Sequence, residues 1–238
     1  GSQASAATVI SGLQSAFEDD ATAGVILEIN SPGGSPVQSA YIYDEIKRLR
    51  KEYPDTAVYA VVTDIAASGG YFVAAAADQI YVNRSSLVGS IGVRLDSFCL
   101  VELMQKMGVE RRLLTAGEHK GLLDPFLPED PTERQHLQQM LDEVHQHFIE
   151  AVQRGRADRL QDEPGLFSGL VWSGERAIEI GLVDGYGSRE QVARDIILED
   201  NIVDFTPSEM LLDRLAERVG ASAGRLLQQQ ISGQLAIQ

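Results

Sequence analysis

Two nearly continuous apolar runs occur in the first third of the chain. Residues 24–30 (Gly-Val-Ile-Leu-Glu-Ile-Asn) and 58–63 (Val-Tyr-Ala-Val-Val-Thr) contain few polar positions. Strands of a parallel sheet have this pattern, because helices cover both of its faces. We therefore predict two buried strands there, and shorter apolar runs predict further strands at 79–82, 91–95 and 111–115.

Helical periodicity occupies the intervals between these runs. A helix over 36–53 follows the first strand, with Ser35 as its N-cap and Pro36 at its first position. The other helical patterns are an N-terminal stretch (Val9, Leu13, Phe17), a long segment from Pro131 to about Gly155–Asp158, and two shorter ones at 174–181 and 188–199. The alternation of strands and helices predicts an α/β layered fold in one domain over residues 1–200.

The end of the chain differs in composition from the rest. Residues 207–219 are amphipathic, whereas residues 220–238 are rich in Gly, Ser, Ala and Gln. We predict that 201–238 forms a C-terminal helical extension followed by a flexible tail.

Charge and composition narrow the class of function. The 238 residues are 44% hydrophobic, which is enough for an ordinary core. Asp and Glu number 35 against 20 Lys and Arg, so the net charge is -15 and the pI is about 4.6. This balance argues against a nucleic-acid partner, which a positive surface would attract. We also expect no metal or cofactor.

The single cysteine gives little information about the cellular compartment. Cys99 has no second cysteine with which to form an intramolecular disulfide. Because it lies in the apolar run Phe98-Cys-Leu-Val, we predict a buried and inert thiol.

A serine between a predicted strand and an Ala-rich helix is the first candidate for chemistry. Ser68 lies in Asp64-Ile-Ala-Ala-Ser-Gly-Gly-Tyr71. Small residues on both sides permit a sharp turn, as in the Gly-x-Ser-x-Gly nucleophile elbow, although Ala66 replaces the first glycine. The alternative role for Ser68 is that of a helix cap.

A second motif, Asn30-Ser-Pro-Gly-Gly-Ser-Pro36, ends the first predicted strand. Adjacent glycines leave backbone N–H groups unobstructed by side chains. The N–H of Gly33 or Gly34, together with that of Gly69, would form an oxyanion hole beside Ser68. Taken alone, the Pro-Gly-Gly sequence indicates only a turn.

Two residues compete for the role of general base. The other histidines and lysines fall on predicted helices or at their ends: His136, His145, His147, Lys47, Lys51 and Lys106. His119 and Lys120 lie in a predicted loop. A lysine serves as a base near neutral pH only if burial or a nearby cation lowers its pKa, which apolar neighbours such as Leu122 can help to do. The chemistry alone leaves both residues open.

Five motifs in the same order resemble the signal peptide peptidase A family, which comprises Ser–Lys peptidases of the ClpP/crotonase-like fold. The matching segments are Ile29–Gly34, Asp64–Tyr71, Leu87–Val93, Thr115–Lys120 and Gly181–Asp184. The resemblance implies a superhelix of β-β-α units with a protruding helical region. It also implies Ser68 as nucleophile and Lys120 as base, since the family loop reads Thr-Ala-Gly-x-x-Lys and His119 falls at a variable position. Ser90 is implied to orient the lysine.

The resemblance carries further expectations about location and assembly. Family members are anchored by an N-terminal segment in the bacterial inner membrane, with the catalytic part facing the periplasm or the cell exterior. The first strand of the fold normally follows that anchor. This chain shows neither, so we expect the first strand to be missing. The family also implies cleaved signal peptides as substrates and a homo-oligomer, an octameric ring in which one protomer's lysine serves the neighbour's serine.

Three alternatives are carried forward. The first is a ClpP-like Ser-His-Asp peptidase with His119 as base. The second is a crotonase-like acyl-CoA enzyme, although the sequence shows no basic cluster suited to the CoA phosphates. The third is a non-enzymatic membrane scaffold with a vestigial site.

Overall fold

The computed structural model describes residues 5–207. The chain divides into two compact units, Gly1–Val203 and Asp204–Gln238. In the second unit, the described residues 204–207 form no helix or strand, and the Thr206 N–H donates to the Asp204 carboxylate at 2.8 Å. The helix predicted over 207–219, apart from Pro207, and the tail predicted over 220–238 lie outside the described residues.

Helices and strands alternate along the first unit. The helices are α1 (Ala6–Glu18), α2 (Pro36–Glu52), α3 (Gly69–Ala74), α4 (Val101–Met107), α5 (Pro131–Arg156), α6 (Gly174–Glu179) and α7 (Arg189–Val192). The strands are β1 (Gly24–Ser31), β2 (Ala57–Ala67), β3 (Gln79–Val82), β4 (Leu87–Gly89), β5 (Val171–Ser173) and β6 (Gly185–Tyr186). A 3₁₀ turn at Ala157–Arg159 follows α5, and a π-helical turn at Ala193–Ile197 follows α7. The predicted α/β layered fold is confirmed.

The long strand β2 organises the sheet. Its first half pairs in parallel with β1 on one side and with β3 on the other, and β6 continues the sheet from β3. Its last three residues pair instead with β4, which pairs antiparallel with β5. The end of β2 is therefore surrounded by β4 and by the end of β1, and Ser68 follows directly.

The core forms where α2 and α3 pack on the sheet and α5 packs against α3. Strand β2 has buried side chains at most positions, as expected for a strand covered on both faces. Tyr71 of α3 and Ile46 of α2 are fully buried against it. Each of these helices was predicted from its sequence, and α2 begins, as predicted, with Ser35 as N-cap and Pro36 at the first position.

The strands predicted at 91–95 and 111–115 are wrong. Both segments are irregular; all of 111–115 is exposed, whereas 91–95 runs from the buried Ile91 to the exposed Leu95. Leu114, for example, is 98% exposed. The apolar runs there have strand-like composition, but the described structure offers no neighbouring strand with which they pair. A strand needs that partner, because its backbone N–H and C=O groups bond between strands and not within one.

The prediction that Cys99 is buried is also wrong, since its side chain is exposed. It precedes α4 in a segment where the neighbouring Phe98 is 79% exposed. The apolar run around Cys99 therefore lies at the surface of this chain, and a hydrophobic sequence context did not determine burial.

A buried ion pair links the end of α5 to the residue before β6. Arg156, at the end of α5, is 1% exposed and binds both carboxylate oxygens of Asp184 at 2.7 and 2.9 Å. The same carboxylate accepts from the Ile80 N–H of β3 at 2.7 Å. Burial acts to raise the pKa of Asp184, but hydrogen bonds and charge from Arg156 outweigh it and hold that pKa below its usual value.

Candidate active site

Ser68 sits at a strained junction between β2 and α3. Its φ is 51° and its ψ is -123°, a backbone conformation that is unfavourable for a residue with a side chain. Its N–H donates to the Gly89 carbonyl at 2.8 Å, and its carbonyl accepts from Phe72. Although Ser68 occupies the N-cap position, its hydroxyl caps no N–H of α3. The capping role is therefore not the one that this serine performs.

The Pro-Gly-Gly turn lies directly against Ser68. A β-carbon on Gly33, whose φ is +112°, would lie 2.7 Å from the Ser68 β-carbon and 3.0 Å from the Gly69 nitrogen. A β-carbon on Gly69 would lie 3.2 Å from the Gly34 nitrogen and 2.5 Å from Ser39 Oγ. The two loops approach too closely for side chains, so the backbone nitrogens of Gly34 and Gly69 lie close to the facing loop beside the serine. The Gly33 N–H, which was predicted as an alternative oxyanion donor, instead donates to Ser31 Oγ at 3.2 Å.

Ser90 comes directly after Gly89, the residue of β4 that contacts Ser68. The Gly89 carbonyl accepts the Ser68 N–H, and the Ser90 N–H donates to the Leu170 carbonyl at 2.7 Å. Ser90 also has a positive φ, 50°. Strand β4 thus carries Ser90 to the same end of the sheet as Ser68, on a backbone fixed from both sides.

The predicted base, Lys120, is not joined to these residues within the single chain. It lies in a turn at 117–123 and is exposed. Its side chain packs along Gly117, where an added β-carbon would lie 3.0 Å from Lys120 Cγ. Among residues 5–207 its ammonium group forms no hydrogen bond or ion pair, and none connects it to Ser68 or Ser90.

The competing base, His119, has a partner elsewhere. Its Nδ1 lies 3.0 Å from Glu133 Oε1 in the first turn of α5. The hydrogen bond to Glu133, with the further negative charge of Glu118 and Asp130, raises the pKa of His119 above its usual value. No hydrogen bond joins His119 to Ser68 in the described part of the chain, so the structure does not assemble a Ser-His pair.

Several supporting residues had no role in the sequence interpretation. Ser39 lies under Gly69 with its hydroxyl bonded to the Ser35 carbonyl at 3.1 Å. Gly89 supplies the carbonyl that fixes Ser68, and Asp184 anchors the last matched motif through Arg156. Gly89 and Asp184 lie inside motifs that the sequence had already singled out. Arg156 and Ser39 carried no such signal, because each is defined by a partner distant in sequence.

Comparison with known protein families supports the family resemblance and the fold that it implied. Residues 50–202, more than half of the chain, match the profile of Peptidase family S49, and residues 2–90 match that of Clp protease. The Clp protease match, with the sheet described above, confirms the ClpP/crotonase-like fold.

Individual relatives differ in name and length. The chain is 42% identical over 224 residues to a protein named Na(+)/H(+) antiporter NhaA from Brucella abortus, covering 94% of this chain and 30% of that protein. It is 35% identical to the putative protease MJ0651 of Methanocaldococcus jannaschii (75% and 57% covered) and 32% identical to a putative signal peptide peptidase SppA of Enterococcus faecium (81% and 55%). The chain thus spans about a third to just over half of the length of these relatives. With the S49 match and the ordered motifs, these similarities show that the chain belongs to peptidase family S49, the family of signal peptide peptidase A.

Proposed function

We propose that this chain is a serine peptidase module that cleaves peptides through an acyl-enzyme formed on Ser68, with Lys120 as general base. The observation that carries the proposal is the environment of Ser68. Its hydroxyl is not used for capping, its backbone is strained, and the backbone of the Pro-Gly-Gly turn packs directly against it. Strained backbone that the surrounding structure holds in place is typical of functional sites.

The chemistry follows from this arrangement. Lys120 Nζ takes the proton from Ser68 Oγ as that oxygen attacks the scissile carbonyl carbon, and the N–H groups of Gly69 and Gly34 stabilise the resulting oxyanion. The lysine then delivers the proton to the leaving amine, which leaves an ester on Ser68. A water molecule, deprotonated by Lys120, attacks the ester carbonyl; the lysine passes that proton to the Ser68 oxygen as the ester bond breaks, and the carboxylic acid product ionises in solution. Ser90 orients the lysine through its hydroxyl.

In this proposal, Lys120 of one copy of the chain serves Ser68 of a neighbouring copy. Two features of the single chain support it: Lys120 is exposed and pairs with no group among residues 5–207, and the segment that precedes its turn has an apolar surface. Large apolar side chains exposed between residues 94 and 115 are Leu95, Phe98, Leu103, Met107, Val109, Leu113 and Leu114. Extended exposed apolar patches indicate association surfaces. A ring, octameric as in the family resemblance, would bury this surface and desolvate Lys120.

Substrate and location are proposed from the family. Relatives named signal peptide peptidase SppA and serine protease SPPA suggest cleaved signal peptides as the substrate class. An inner-membrane location with the catalytic part facing the periplasm or cell exterior, through an N-terminal anchor, is proposed on the same basis. None of the helices within residues 5–207 is long and apolar enough to cross a bilayer. We carry no transport activity over from the antiporter relatives, of which the chain matches 30%.

A serine-directed fluorophosphonate probe and a fluorogenic peptide with small apolar residues test the proposal. We expect the probe to label Ser68, and we expect Ser68→Ala to abolish both labelling and hydrolysis. Lys120→Ala should slow both by roughly 10³-fold or more, because loss of the base leaves only the oxyanion hole and binding. Ser85→Ala, on an exposed turn, is the matched control and should react at the parent rate.

Three results would contradict the proposal or its parts. Equal hydrolysis by the parent chain and Ser68→Ala would remove the catalytic role and favour a non-enzymatic scaffold. An active Lys120→Ala with an inactive His119→Ala would replace the lysine by the histidine. Mixing Ser68→Ala with Lys120→Ala tests sharing between copies: activity recovers if one copy's lysine serves another's serine, and failure to recover contradicts that arrangement.

A further inference from the structure

Within residues 5–207, the tip of the turn that carries Lys120 is attached by one side-chain hydrogen bond and by apolar packing of Leu113 and Leu127 against Gly121. Backbone bonds from Lys120 N–H to the Gly117 carbonyl and from Leu122 N–H to the His119 carbonyl, both 3.2 Å, shape the turn internally. Among the described residues, the His119–Glu133 contact is the one side-chain hydrogen bond that connects residues 117–121 to another element. The position of the tip therefore depends on this contact.

The partner at the other end is firmly placed. Glu133 lies in the first turn of α5, where Asp130 caps the helix by accepting from the Thr132 and Glu133 N–H groups at 2.7 and 3.1 Å. Glu133 is only 19% exposed, whereas His119 is 59% exposed. A carboxylate is also stabilised by the positive end of the helix dipole in this position. Glu133 is thus a largely buried acceptor for an exposed donor.

The C-terminal end of the same turn has separate attachments. Ser97 Oγ donates to the Leu123 carbonyl at 3.2 Å, and Arg111 pairs with Asp124 at 2.5 Å. These contacts hold the C-terminal end of the turn and do not involve Lys120. Losing the His119 contact would therefore free the tip while leaving the rest of the segment in place.

We propose that His119 is a positioning residue, which holds the Lys120 turn against α5 through Glu133 so that the lysine is presented to the reacting serine. The proposal rests on the proposed role of Lys120 as base. It applies whether Lys120 serves its own chain or a neighbouring one, because the contact lies within a single chain. A small displacement of a catalytic group has a large effect on rate, so the contact has a direct catalytic consequence.

Protonation of His119 sets the strength of this contact. The charged groups that act on the imidazole are Glu133 of α5, Asp130 at the cap of that helix and Glu118 in the turn itself. Arg134, the cation that follows Glu133 on α5, faces Glu129 at 3.6 Å. The three carboxylates raise the pKa of His119, so the charged form is favoured in place. The contact is strongest below this raised pKa and weakens as the pH rises through it.

Steady-state kinetics of His119→Ala, His119→Gln and Glu133→Gln across the neutral pH range test the proposal. We expect His119→Ala to lower kcat about tenfold with little change in KM, since positioning and not substrate binding is lost. The parent should lose activity at the alkaline end as His119 deprotonates, and this decline should be absent from His119→Ala. His119→Gln keeps a neutral donor to Glu133 that cannot act as a base, so its kcat should lie between those of His119→Ala and the parent at neutral pH and match the parent at the alkaline end. His136→Ala, exposed on α5, is the control and should match the parent.

Three results would overturn the positioning role of His119, the proposed function or both. If His119→Ala keeps the parent kcat and pH profile while Lys120→Ala is inactive, the positioning role is overturned and the proposed function stands. If His119→Gln is as inactive as His119→Ala while Lys120→Ala retains activity, His119 is itself the base and both proposals fall. If the parent chain does not label at Ser68, the proposed function fails, and the positioning role fails with it.

Discussion

A β-carbon on Gly33 would lie 2.7 Å from the β-carbon of Ser68, so the glycine turn and the nucleophile loop are in direct backbone contact. The two motifs are separated by more than thirty residues in sequence. They meet because β1 and β2 are parallel neighbours whose ends lie at the same edge of the sheet. The oxyanion hole that we propose is therefore a product of strand pairing.

Gly33→Ala tests this contact. The added methyl would push the turn away from Ser68 and must also adopt a φ near +112°. We expect kcat to fall roughly 10²-fold or more, the cost typical of a lost oxyanion donor. The control is Gly108→Ala, which also has a positive φ, 68°, but has open space around it. Equal activity of the two variants would show that the Gly33–Ser68 contact is not needed for catalysis.

Ser90→Ala tests the proposed orientation of the lysine. The hydroxyl is lost while the backbone contact of Ser90 with Leu170 is retained. We expect kcat to fall about 10- to 100-fold with KM nearly unchanged, because only the placement of the base is affected. Circular dichroism should show an unchanged fold. A Ser90→Ala variant with the parent kcat would remove Ser90 from the mechanism.

Asp184→Ala should destabilise the fold strongly. Its removal leaves the buried Arg156 guanidinium without its carboxylate, and breaking a buried pair in this way costs about 3–5 kcal/mol. Urea unfolding monitored by fluorescence measures the loss. Asp158→Ala, on the exposed 3₁₀ turn nearby, should change the free energy of unfolding by less than about 0.5 kcal/mol. A similar small effect for Asp184→Ala would contradict the stabilising role.

The same pair predicts how stability depends on pH. The pKa of Asp184 is lower in the folded chain than its usual value, because Arg156 stabilises the carboxylate against the opposing effect of burial. Its contribution is therefore fully present above the ordinary carboxyl pKa of about 4 and is lost as the pH falls through the lower folded value. The stability difference between the parent chain and Asp184→Ala should shrink on acidification. A difference that is constant with pH would contradict this.

Cys99 provides a probe of assembly. Its thiol is exposed in the single chain and lies beside Phe98, within the apolar surface that we propose is buried between copies. We expect a thiol reagent to label the monomeric fraction from gel filtration rapidly and the oligomeric fraction slowly. The same rate in both fractions would place the interface elsewhere, and a chain that remains monomeric at all concentrations would contradict the ring.

Local sequence determined much of the fold and of the nucleophile loop. The apolar runs of β1 and β2 and the periodicity of α2 and α5 are properties of neighbouring residues, and the structure confirms them. Ser68 could be located in the same way, because a sharp strand-to-helix turn needs small flanking residues. The runs at 91–95 and 111–115 failed as strand predictions, since a strand requires a partner that composition does not reveal.

Tertiary structure decided the features that depend on residues distant in the chain. The contact of Gly33 with Ser68 comes from parallel strand pairing, and the His119–Glu133 contact comes from the placement of the lysine turn on α5. The exposure of Cys99 and the burial of Arg156 likewise depend on what packs against each side chain. Sequence by itself determined which residues carry the chemical groups, because that is local and covalent; which of them meet was decided by packing, because contact is a property of the folded chain.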